Sequence, residues 1–478
     1  MSADAPKRID LTARGRLFAA GGAVAIVVVL VVAVIAIAGG GGDGGRAKPP
    51  ASAAARLVPA DALVYVHLST DPGRAQTRDA AKVASSFPSY AKLRDSIVSR
   101  LQAPGCDVAT KALKTADEAA LAIFDTGTSS QANSLVLVDT GKAHPGARQQ
   151  ACGSLASTYV GTFLAIGQPE SLNVAARLQK AGGRGSLAQA AGPRKELAAL
   201  PEDRVADGWL SADGLRRLLA PQGGLLGAAG VLFDQATLKG AAFGLQAKGD
   251  RAELTVKSQL DPSLKRGGAE GFKPFKPTLA AAVPADAMAY LGVSNLAPAL
   301  QRLLAAAGSS SKTIQSLASS LDKPLLKVFP GEAAVVLTEA TPAPILTIMA
   351  YASDEAAARR TLDGLPAAVR TTLSTAVWDG KVAVSTSPKG IAAVKAGGKH
   401  LTDTENWRKA VGNHPDLLSS LLFLDFTRLL KLGEATGLDQ SRAYQAARAD
   451  LQKVRAIGAS TIGNDSESTA EISLLLTQ

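Results

Sequence analysis

A twelve-residue segment occurs twice in this chain and constrains its fold more than any other feature. VPADALVYVHLS covers residues 58–69, and VPADAMAYLGVS covers residues 283–294. In each copy a Pro and an Asp precede an alternating apolar pattern, which predicts a turn followed by a strand. A repeat of this kind indicates two similar units, each opening on this strand.

The order of elements after each copy also repeats. A helical stretch is followed by two strands, at residues 117–125 and 133–140 in the first unit and at 331–340 and 343–353 in the second. A helix follows each pair, and each unit ends in a hairpin of two alternating strands. This is the order of a ferredoxin-like split βαβ fold elaborated by extra strands. The sequence therefore predicts the α+β class, with two tandem similar domains, each a mostly antiparallel sheet with helices on one face.

The repeat also sets the predicted domain bounds. At 478 residues the chain is too long for one compact core. The first repeat domain is predicted at residues 57–262 and the second at residues 279–478, joined by a Gly, Lys and Pro-rich linker at residues 263–278.

An uncharged apolar run, LFAAGGAVAIVVVLVVAVIAIA, covers residues 17–38. A helix of this length spans about 33 Å, enough to cross a hydrocarbon core of about 30 Å. The preceding tail, residues 1–16, carries four Lys or Arg, and the basic side of a first span normally stays in the cytoplasm. We therefore expect a single-pass cell-membrane protein with a cytoplasmic N-terminus and extracytoplasmic C-terminal domains.

A cleaved signal peptide is the alternative for this run, since Ala-Ile-Ala at residues 36–38 fits a cleavage site. The run is longer than the roughly 7 to 15 apolar residues usual in signal peptides, which favours an uncleaved anchor. Residues 39–56 follow, and they are rich in Gly, Pro and Ala. This composition predicts a flexible tether between the membrane and the first domain.

Sequence motifs for catalysis are absent. The chain has no GxSxG, GxxxxGK[ST], HExxH or CxxC motif. SxxK tetrads occur at residues 89–92, 309–312 and 320–323, but the companion motifs SDN and KTG of serine acyl-enzymes are missing. We therefore predict a protein that is not an enzyme, with no catalytic residues and no cofactor.

The chain contains four histidines, His67, His144, His400 and His414. They are scattered singly, whereas metal ligands converge on one ion and usually lie close together in sequence, so no metal site is predicted. By strand alternation His67 shares a face with Tyr65 and Ser69, where it could line a pocket. The second copy has Gly292 at this position, and we favour a half-buried packing histidine.

Cys106 and Cys152 are the only cysteines, and both fall in the part of the chain that we expect to be exported. We predict a disulfide between them, structural because CxxC is absent, which closes a loop of about 46 residues and contributes roughly 4 kcal/mol. Cys106 is expected in a loop and Cys152 in the helix after the third strand, where the second unit has Leu362. The alternative is a free, buried Cys152 acting as a small hydrophobic residue.

The formal net charge of +11 is mild for a chain of this length. Basic residues are densest in the linker, at Lys265, Arg266, Lys273 and Lys276. Such a cluster near a membrane can contact anionic lipid head groups or wall polymers, gaining about 1 kcal/mol per charge. The alternative, favoured by the surrounding Gly and Pro, is a solvated interdomain linker. Nucleic acid is not expected as a partner, because no recognised binding motif occurs.

Two segments carry a resemblance to a known family. LVPADALVYVHLSTDP at residues 57–72 and SSFPSYAKLRDSI at residues 85–97, behind one N-terminal span and in two tandem units, resemble the membrane-anchored extracytoplasmic "domain of unknown function" proteins of high-GC Gram-positive bacteria. The resemblance implies an extracytoplasmic location and a duplicated α+β fold. It brings no catalytic residues to this chain.

Two functions remain open on the sequence. The first is a non-enzymatic binding or interaction module of the cell envelope, with an envelope protein, an anionic wall polymer or a lipid as partner. The alternative is a carrier or sensor of an apolar or lipid ligand held between sheet and helices. Amphipathic residues 314–329 could cover such a ligand, although core packing is the commoner use of this pattern.

Overall fold

A computed structural model describes residues 52–71, 73–92, 95, 112, 116–126, 132–152, 155–219, 237–264, 273–294, 296, 331–340, 343–365 and 367–477. The predicted tail, the span at residues 17–38, most of the tether and the amphipathic residues 314–329 lie outside these ranges. Within the described ranges, no helix is long and apolar enough to cross a membrane.

The described residues form an α+β fold dominated by an antiparallel sheet. The strands are β1 Val64–Ser69, β2 Glu118–Phe124, β3 Asn133–Asp139, β4 Gln150–Cys152, β5 Leu155–Val160, β6 Phe163–Gly167, β7 Ala206–Ser211, β8 Leu238–Lys248, β9 Arg251–Leu260, β10 Ala287–Val293, β11 Ala333–Thr338, β12 Ile345–Tyr351, β13 Ser374–Trp378, β14 Lys381–Ser385, β15 Ser420–Asp425, β16 Val454–Gly463 and β17 Glu467–Leu476. The helices are α1 Ala75–Ser85, α2 Pro169–Lys180, α3 Ala191–Ala198, α4 Ala212–Leu219, α5 Glu355–Asp363, α6 Ala367–Thr372, α7 Pro388–Lys395, α8 Glu405–Val411, α9 Phe426–Ala435 and α10 Arg442–Leu451.

These strands pair into one continuous sheet of 17 strands. Across the sheet the order is β4-β5-β6-β3-β2-β1-β7-β8-β9-β17-β16-β15-β10-β11-β12-β14-β13, and every pairing is antiparallel. The expectation of a split βαβ fold is therefore wrong. In that fold the two strands of a βαβ unit are parallel and have a third strand between them, whereas β1 and β2 are direct antiparallel neighbours.

The two copies of the opening segment occupy matching places. β10 lies between β11 and β15 as β1 lies between β2 and β7. The turn before each strand is fixed alike: Leu187 N–H donates to Val58 O at 2.8 Å, and Leu401 N–H donates to Val283 O at 2.8 Å. The strand pairings on the two sides of β9–β17 therefore follow the same plan. β9 is the last strand of the first half, which covers residues 52–264, and β17 is the last strand of the second half, which covers residues 273–477. These two strands pair with each other along nearly their full lengths.

Helices cover both faces of the sheet. On one face Tyr65 packs with Leu172 of α2, and on the other Leu68 packs with Val83 of α1. Because neighbouring side chains of a strand alternate between faces, the prediction of helices on one face only is wrong. The reason for helices on both faces is the burial of β1. All six of its residues are buried, so both faces of this strand need cover.

The two halves share a hydrophobic core as well as a sheet. One cluster combines Leu68 and Phe87 of the first half with Phe426, Leu430 and Tyr444 of the second. Each of these side chains is at most 9% exposed. The halves are therefore joined by apolar packing and not only by a linker.

Parts of the predicted tether and linker belong to the folded core. Residues Ala54–Leu57 form a 3-10 turn in which Ala54 is 0% exposed and Leu57 2% exposed. In the predicted linker, Phe275 is buried and exchanges two backbone hydrogen bonds with Leu418, at 2.8 and 2.9 Å. The folded region therefore begins before residue 57, and the last part of the linker packs on the second half.

The helix predicted after β3 is also wrong. Residues 140–149 form turns, and Cys152 lies at the end of the short strand β4, which pairs with β5. Gly141 and Gly146 have φ of 67° and 76°, values that a helix does not allow, and Pro145 lies between them. The second half does form helices here, so Leu362 in α5 is not the counterpart of Cys152.

Candidate functional site

A buried ionic network surrounds His67 in the first half. Its imidazole Nδ1 lies 3.3 Å from Asp207 Oδ1 on β7, and its Nε2 lies 3.5 Å from Glu118 Oε1 on β2. These contacts follow from the pairing of the strands. His67 on β1 is paired with Asp207 on β7, and Ser69, two residues after His67, is paired with Glu118 on β2. The three side chains are 0 to 3% exposed.

Both carboxylates have further partners. Arg204 Nε lies 2.5 Å from Asp207 Oδ2, and Arg204 Nη1 donates to Pro201 O at 2.8 Å. Glu118 accepts from the backbone N–H groups of Ala53 and Ala54 at 3.0 and 2.9 Å. The network therefore runs from Arg204 through β7, β1 and β2 to the first turn of the folded region.

The charges of the network are set by burial and by its partners. Burial disfavours the imidazolium form of His67, but Asp207 and then Glu118 outweigh burial and raise the His67 pKa. Burial opposes ionisation of Asp207, yet His67 and Arg204 prevail and lower the Asp207 pKa. For Glu118 burial prevails over His67 and the two N–H donors, so the Glu118 pKa is raised.

This network is sealed from solvent and has no access for a substrate among the described residues. Its members join three strands and one turn. Removing one partner of such a buried ion pair lowers the stability of the fold. The sequence interpretation of His67 as a half-buried packing residue understated its burial and missed Glu118, Asp207 and Arg204. Asp207 gave a signal in the sequence, because it is the one charged residue of ADGWLS, the segment at residues 206–211 that forms β7.

The second half replaces this network with aromatic packing. Gly292 and Leu421 stand at the positions of His67 and Asp207. Trp407 packs edge-on against Tyr290, with ring centroids 5.3 Å apart, and lies 5.4 Å from Phe423.

One acidic position is common to both halves. Glu332 accepts from Leu279 N–H at 2.8 Å and from Thr278 Oγ1 at 2.7 Å. These contacts match those that Glu118 makes with the first turn of the folded region. The carboxylate that caps the opening turn is thus present in both halves, whereas the histidine network is confined to the first.

An open cleft lies in the second half, where the turn before α8 meets the end of β15. Its volume is about 210 Å³, and its lining residues are Ala285, Ala287, Leu401, Thr404, Glu405, Asn406, Phe423, Asp425 and Arg428. Leu401 and Phe423 are 1% exposed and form an apolar floor. The rim is polar and carries both signs of charge.

Two rim residues are held at the start of α9. Asp425 is the N-cap of this helix, and its Oδ1 accepts from Arg428 N–H at 3.1 Å. Arg428 Nε lies 3.7 Å from Asp425 Oδ2, and Asn406 Nδ2 donates to the same oxygen at 3.4 Å. These are long contacts, so the carboxylate and the guanidinium are only loosely paired.

The remaining charged residue of the lining, Glu405, is paired with groups beside the cleft. Glu405 Oε1 lies 3.1 Å from Lys409 Nζ and 3.1 Å from Arg455 Nη2. Lys409 Nζ also lies 3.0 Å from Asp250 Oδ2 in the β8–β9 turn of the first half. Hydrogen bonds from Lys409 and then Arg455 lower the Glu405 pKa. The cleft therefore adjoins the junction of the two halves.

The structure describes only part of the remaining sequence-derived site residues. Lys273 and Lys276 are exposed, while Lys265 and Arg266 lie outside the described residues. In the SxxK tetrad that is described, the backbone N–H of Ser89 donates to Asp450 Oδ1 at 2.9 Å, and the other two tetrads lie outside the described ranges. Among the described residues, no group of three or more His, Cys, Asp or Glu could hold a metal ion.

Cys152 is 5% exposed and has no free thiol. Its neighbours in a small apolar cluster are Val138, Leu164 and Ile166. Cys106 lies outside the described residues, and its bridge to Cys152 stays a prediction.

No protein-family model matches the chain, and no curated protein matches it. Among solved structures it is similar to crystal forms IV, III and I of TP0453. Form IV has 11% sequence identity and a TM-score of 0.27, and the match covers 45% of this chain and 81% of that chain. Form III has 12% identity, a TM-score of 0.25 and coverage of 43% and 79%. Form I has 11% identity, a TM-score of 0.25 and coverage of 46% and 81%. Likeness at this level carries no argument about function.

Proposed function

We propose that this chain is a non-enzymatic binding module of the cell envelope, held at the membrane by residues 17–38 and presented by the tether at residues 39–51. Its partner is an envelope protein, an anionic wall polymer or a lipid. The observation that carries the proposal is the single sheet and shared core of the two halves, which make one body with a fixed surface.

A fixed surface favours recognition. Halves that share a large apolar interface do not move independently, and a preorganised surface loses less conformational entropy on binding. The shared cluster around Leu68, Phe426 and Tyr444 supports this rigidity. The sealed position of His67 supports the non-enzymatic part of the proposal, because a side chain that is 0% exposed cannot contact a substrate.

We also infer that the two halves are tandem copies of one α+β unit, related by duplication. The matched turns at Val58 and Val283 and the matched carboxylates Glu118 and Glu332 support this inference. The resemblance to membrane-anchored extracytoplasmic domain families fits the same organisation. Protease added to intact cells with a permeable wall should digest the chain beyond residue 39 and spare a tag at residue 1, and a protected C-terminus would overturn the orientation.

The binding role is tested by crosslinking in intact cells. Full-length tagged chain is compared with a control in which residues 1–51 carry an unrelated extracytoplasmic domain. We expect a discrete envelope component to be crosslinked to the full chain and not to the control. Identical crosslinked material from both proteins would mean that the anchor alone determines what is nearby, and the proposed function would fail.

The alternative, a carrier of an apolar ligand between sheet and helices, has less support in the described part of the chain. There the space between the sheet and α2 is filled by side chains that are 0 to 2% exposed, including Tyr65, Leu135, Leu137 and Leu172. Mass spectrometry of an organic extract of the purified protein tests it, and a stoichiometric lipid would favour the carrier.

A further inference from the structure

We propose that the cleft between α8 and β15 binds a small α-amino acid as a zwitterion. Arg428 holds the ligand carboxylate, Asp425 holds the ammonium group, and the ligand side chain lies on Leu401 and Phe423. This inference goes beyond the proposed function, because a small amino acid is a second ligand in addition to the envelope partner proposed there.

The size of the cleft fits a ligand of this class. An apolar cavity of about 150 Å³ holds benzene, so 210 Å³ has room for roughly eight non-hydrogen atoms on the same scale. Valine and leucine are of this size. Drug-sized ligands occupy about 300 to 1,000 Å³, which is more than this cleft offers.

The charges of the rim match the head group. Within the described residues, the Arg428 guanidinium contacts only Asp425, at 3.7 Å through Nε. Its planar fork can therefore bind a carboxylate through two hydrogen bonds. Asp425 is 14% exposed and accepts from Asn406 at the long distance of 3.4 Å. An α-amino acid carries its opposite charges one carbon apart, so it can pair with both members of this loose ion pair at once.

Glu405 is the third charged residue of the lining, and together with the groups beside the cleft it leaves no net charge to attract a simple anion or cation. Glu405 is paired with Lys409 and Arg455, and Lys409 is also paired with Asp250. Two acidic and two basic groups therefore compensate one another beside the Arg428–Asp425 pair. A ligand of zero net charge keeps this balance, whereas a singly charged ligand does not.

The first half supplies an internal comparison. It keeps the same floor, with Leu187 and Trp209 at the places of Leu401 and Phe423. At the two helix-start positions it has Ser211 and Gly214, and Gly214 N–H donates to Ser211 Oγ as Arg428 N–H donates to Asp425. The two helix starts are thus capped in the same way.

In the first half Ala191, Ser211 and Gly214 stand at the places of Glu405, Asp425 and Arg428, so these three charged lining residues have no charged counterpart, while Lys195 keeps the place of Lys409 and pairs with Glu467. Gly192 stands where the second half has Asn406, and a Cβ built there would lie 2.7 Å from Gln259 Oε1. The apolar floor follows from the common fold, whereas the charged rim is particular to the second half.

The test measures binding of L-leucine to the purified full chain in detergent, by saturation-transfer NMR and calorimetry. N-acetyl-L-leucine lacks the ammonium group, and L-leucine methyl ester lacks the carboxylate. We expect saturable binding of L-leucine and at least a tenfold loss for each derivative. Arg428→Gln and Asp425→Asn should each weaken L-leucine binding at least tenfold, and the Asn side chain keeps the N-cap of α9.

Arg360→Gln is the matched control, because Arg360 is exposed on α5, away from the cleft. It should leave L-leucine binding unchanged. A thermal unfolding midpoint equal to that of the wild type shows that each variant keeps the fold. Absence of saturable binding, equal binding of N-acetyl-L-leucine, or unchanged binding by Arg428→Gln would overturn the proposal. The crosslinking test separates the two ideas: a crosslinked partner without leucine binding refutes the cleft ligand alone and leaves the proposed function standing.

Discussion

Replacing Asp207 by Asn tests whether the His67 network contributes to stability as its geometry indicates. The amide keeps the shape of the side chain and removes the charge between His67 and Arg204, which lie 3.3 and 2.5 Å from its oxygens. Two buried cationic groups then lose their common counter-charge. Removing one partner of a buried ion pair costs about 3 to 5 kcal/mol, a large fraction of the roughly 5 to 15 kcal/mol typical of a folded domain.

Urea denaturation at pH 6, followed by tryptophan fluorescence, measures this cost. Asp286→Asn is the matched control, because Asp286 is exposed in the opening turn of the second half. We expect the control to change the free energy of unfolding by less than about 0.5 kcal/mol. A cost of Asp207→Asn within the same range would refute the reasoning.

The network also predicts a pH dependence with a definite sign. The His67 pKa is raised from 6.5, so its stabilisation is complete below pH 6.5 and is lost as pH rises through the folded-state pKa. The Asp207 pKa is lowered from 3.8, so its stabilisation is present above pH 3.8 and is lost as pH falls through the folded-state pKa. Glu118, raised from 4.5, acts in the same direction as His67.

Wild-type stability should therefore fall as the pH is raised above 6.5, and His67→Gln should remove most of this slope. His414→Gln, at a partly exposed histidine of the second half, should preserve it. Parallel pH profiles for wild type and His67→Gln would show that His67 carries no differential protonation.

Three further outcomes are expected. Mass spectrometry after alkylation should find no reactive thiol without reductant and two after reduction; alkylation of Cys106 and Cys152 without reductant would exclude the bridge. Residues 52–264 expressed alone expose the edge of β9 and the shared core, and light scattering should show a dimer paired through β9; a stable monomer would contradict the importance of the β9–β17 contact. Glu118→Gln leaves the N–H groups of Ala53 and Ala54 poorly satisfied, at a cost of about 1 to 3 kcal/mol, and hydrogen exchange at residues 52–57 should speed up; unchanged protection there would show that the carboxylate does not cap this turn.

Local patterns predicted much of the strand content. The alternating segments at residues 63–69, 117–125 and 133–140 form β1, β2 and β3, and their counterparts form β10, β11 and β12. Apolar and polar residues alternate with a period of two in a strand, which differs from the period of a helix, and a short segment is enough to detect this alternation. The error after β3 was avoidable, because Gly141, Pro145 and Gly146 oppose a helix in the first half.

The sequence patterns did not predict which strands pair with each other. Pairing of β1 with β7, or of β9 with β17, joins residues far apart in sequence, and period-two patterns specify a face without specifying a neighbour. The two-sided cover of β1 depends on this order, since a strand in the middle of a packed sheet buries both of its faces.

The candidate sites show the same division. The sequence by itself determined that His67 lies on the first strand and that the second copy has Gly292 there. Only the tertiary structure placed Glu118, Asp207 and Arg204 around His67, and only it brought Asp425 and Arg428 over the floor of Leu401 and Phe423. Such groups come together when non-local strand pairing and helix packing fix their separation, and that geometry depends on the whole fold rather than on the residues beside them.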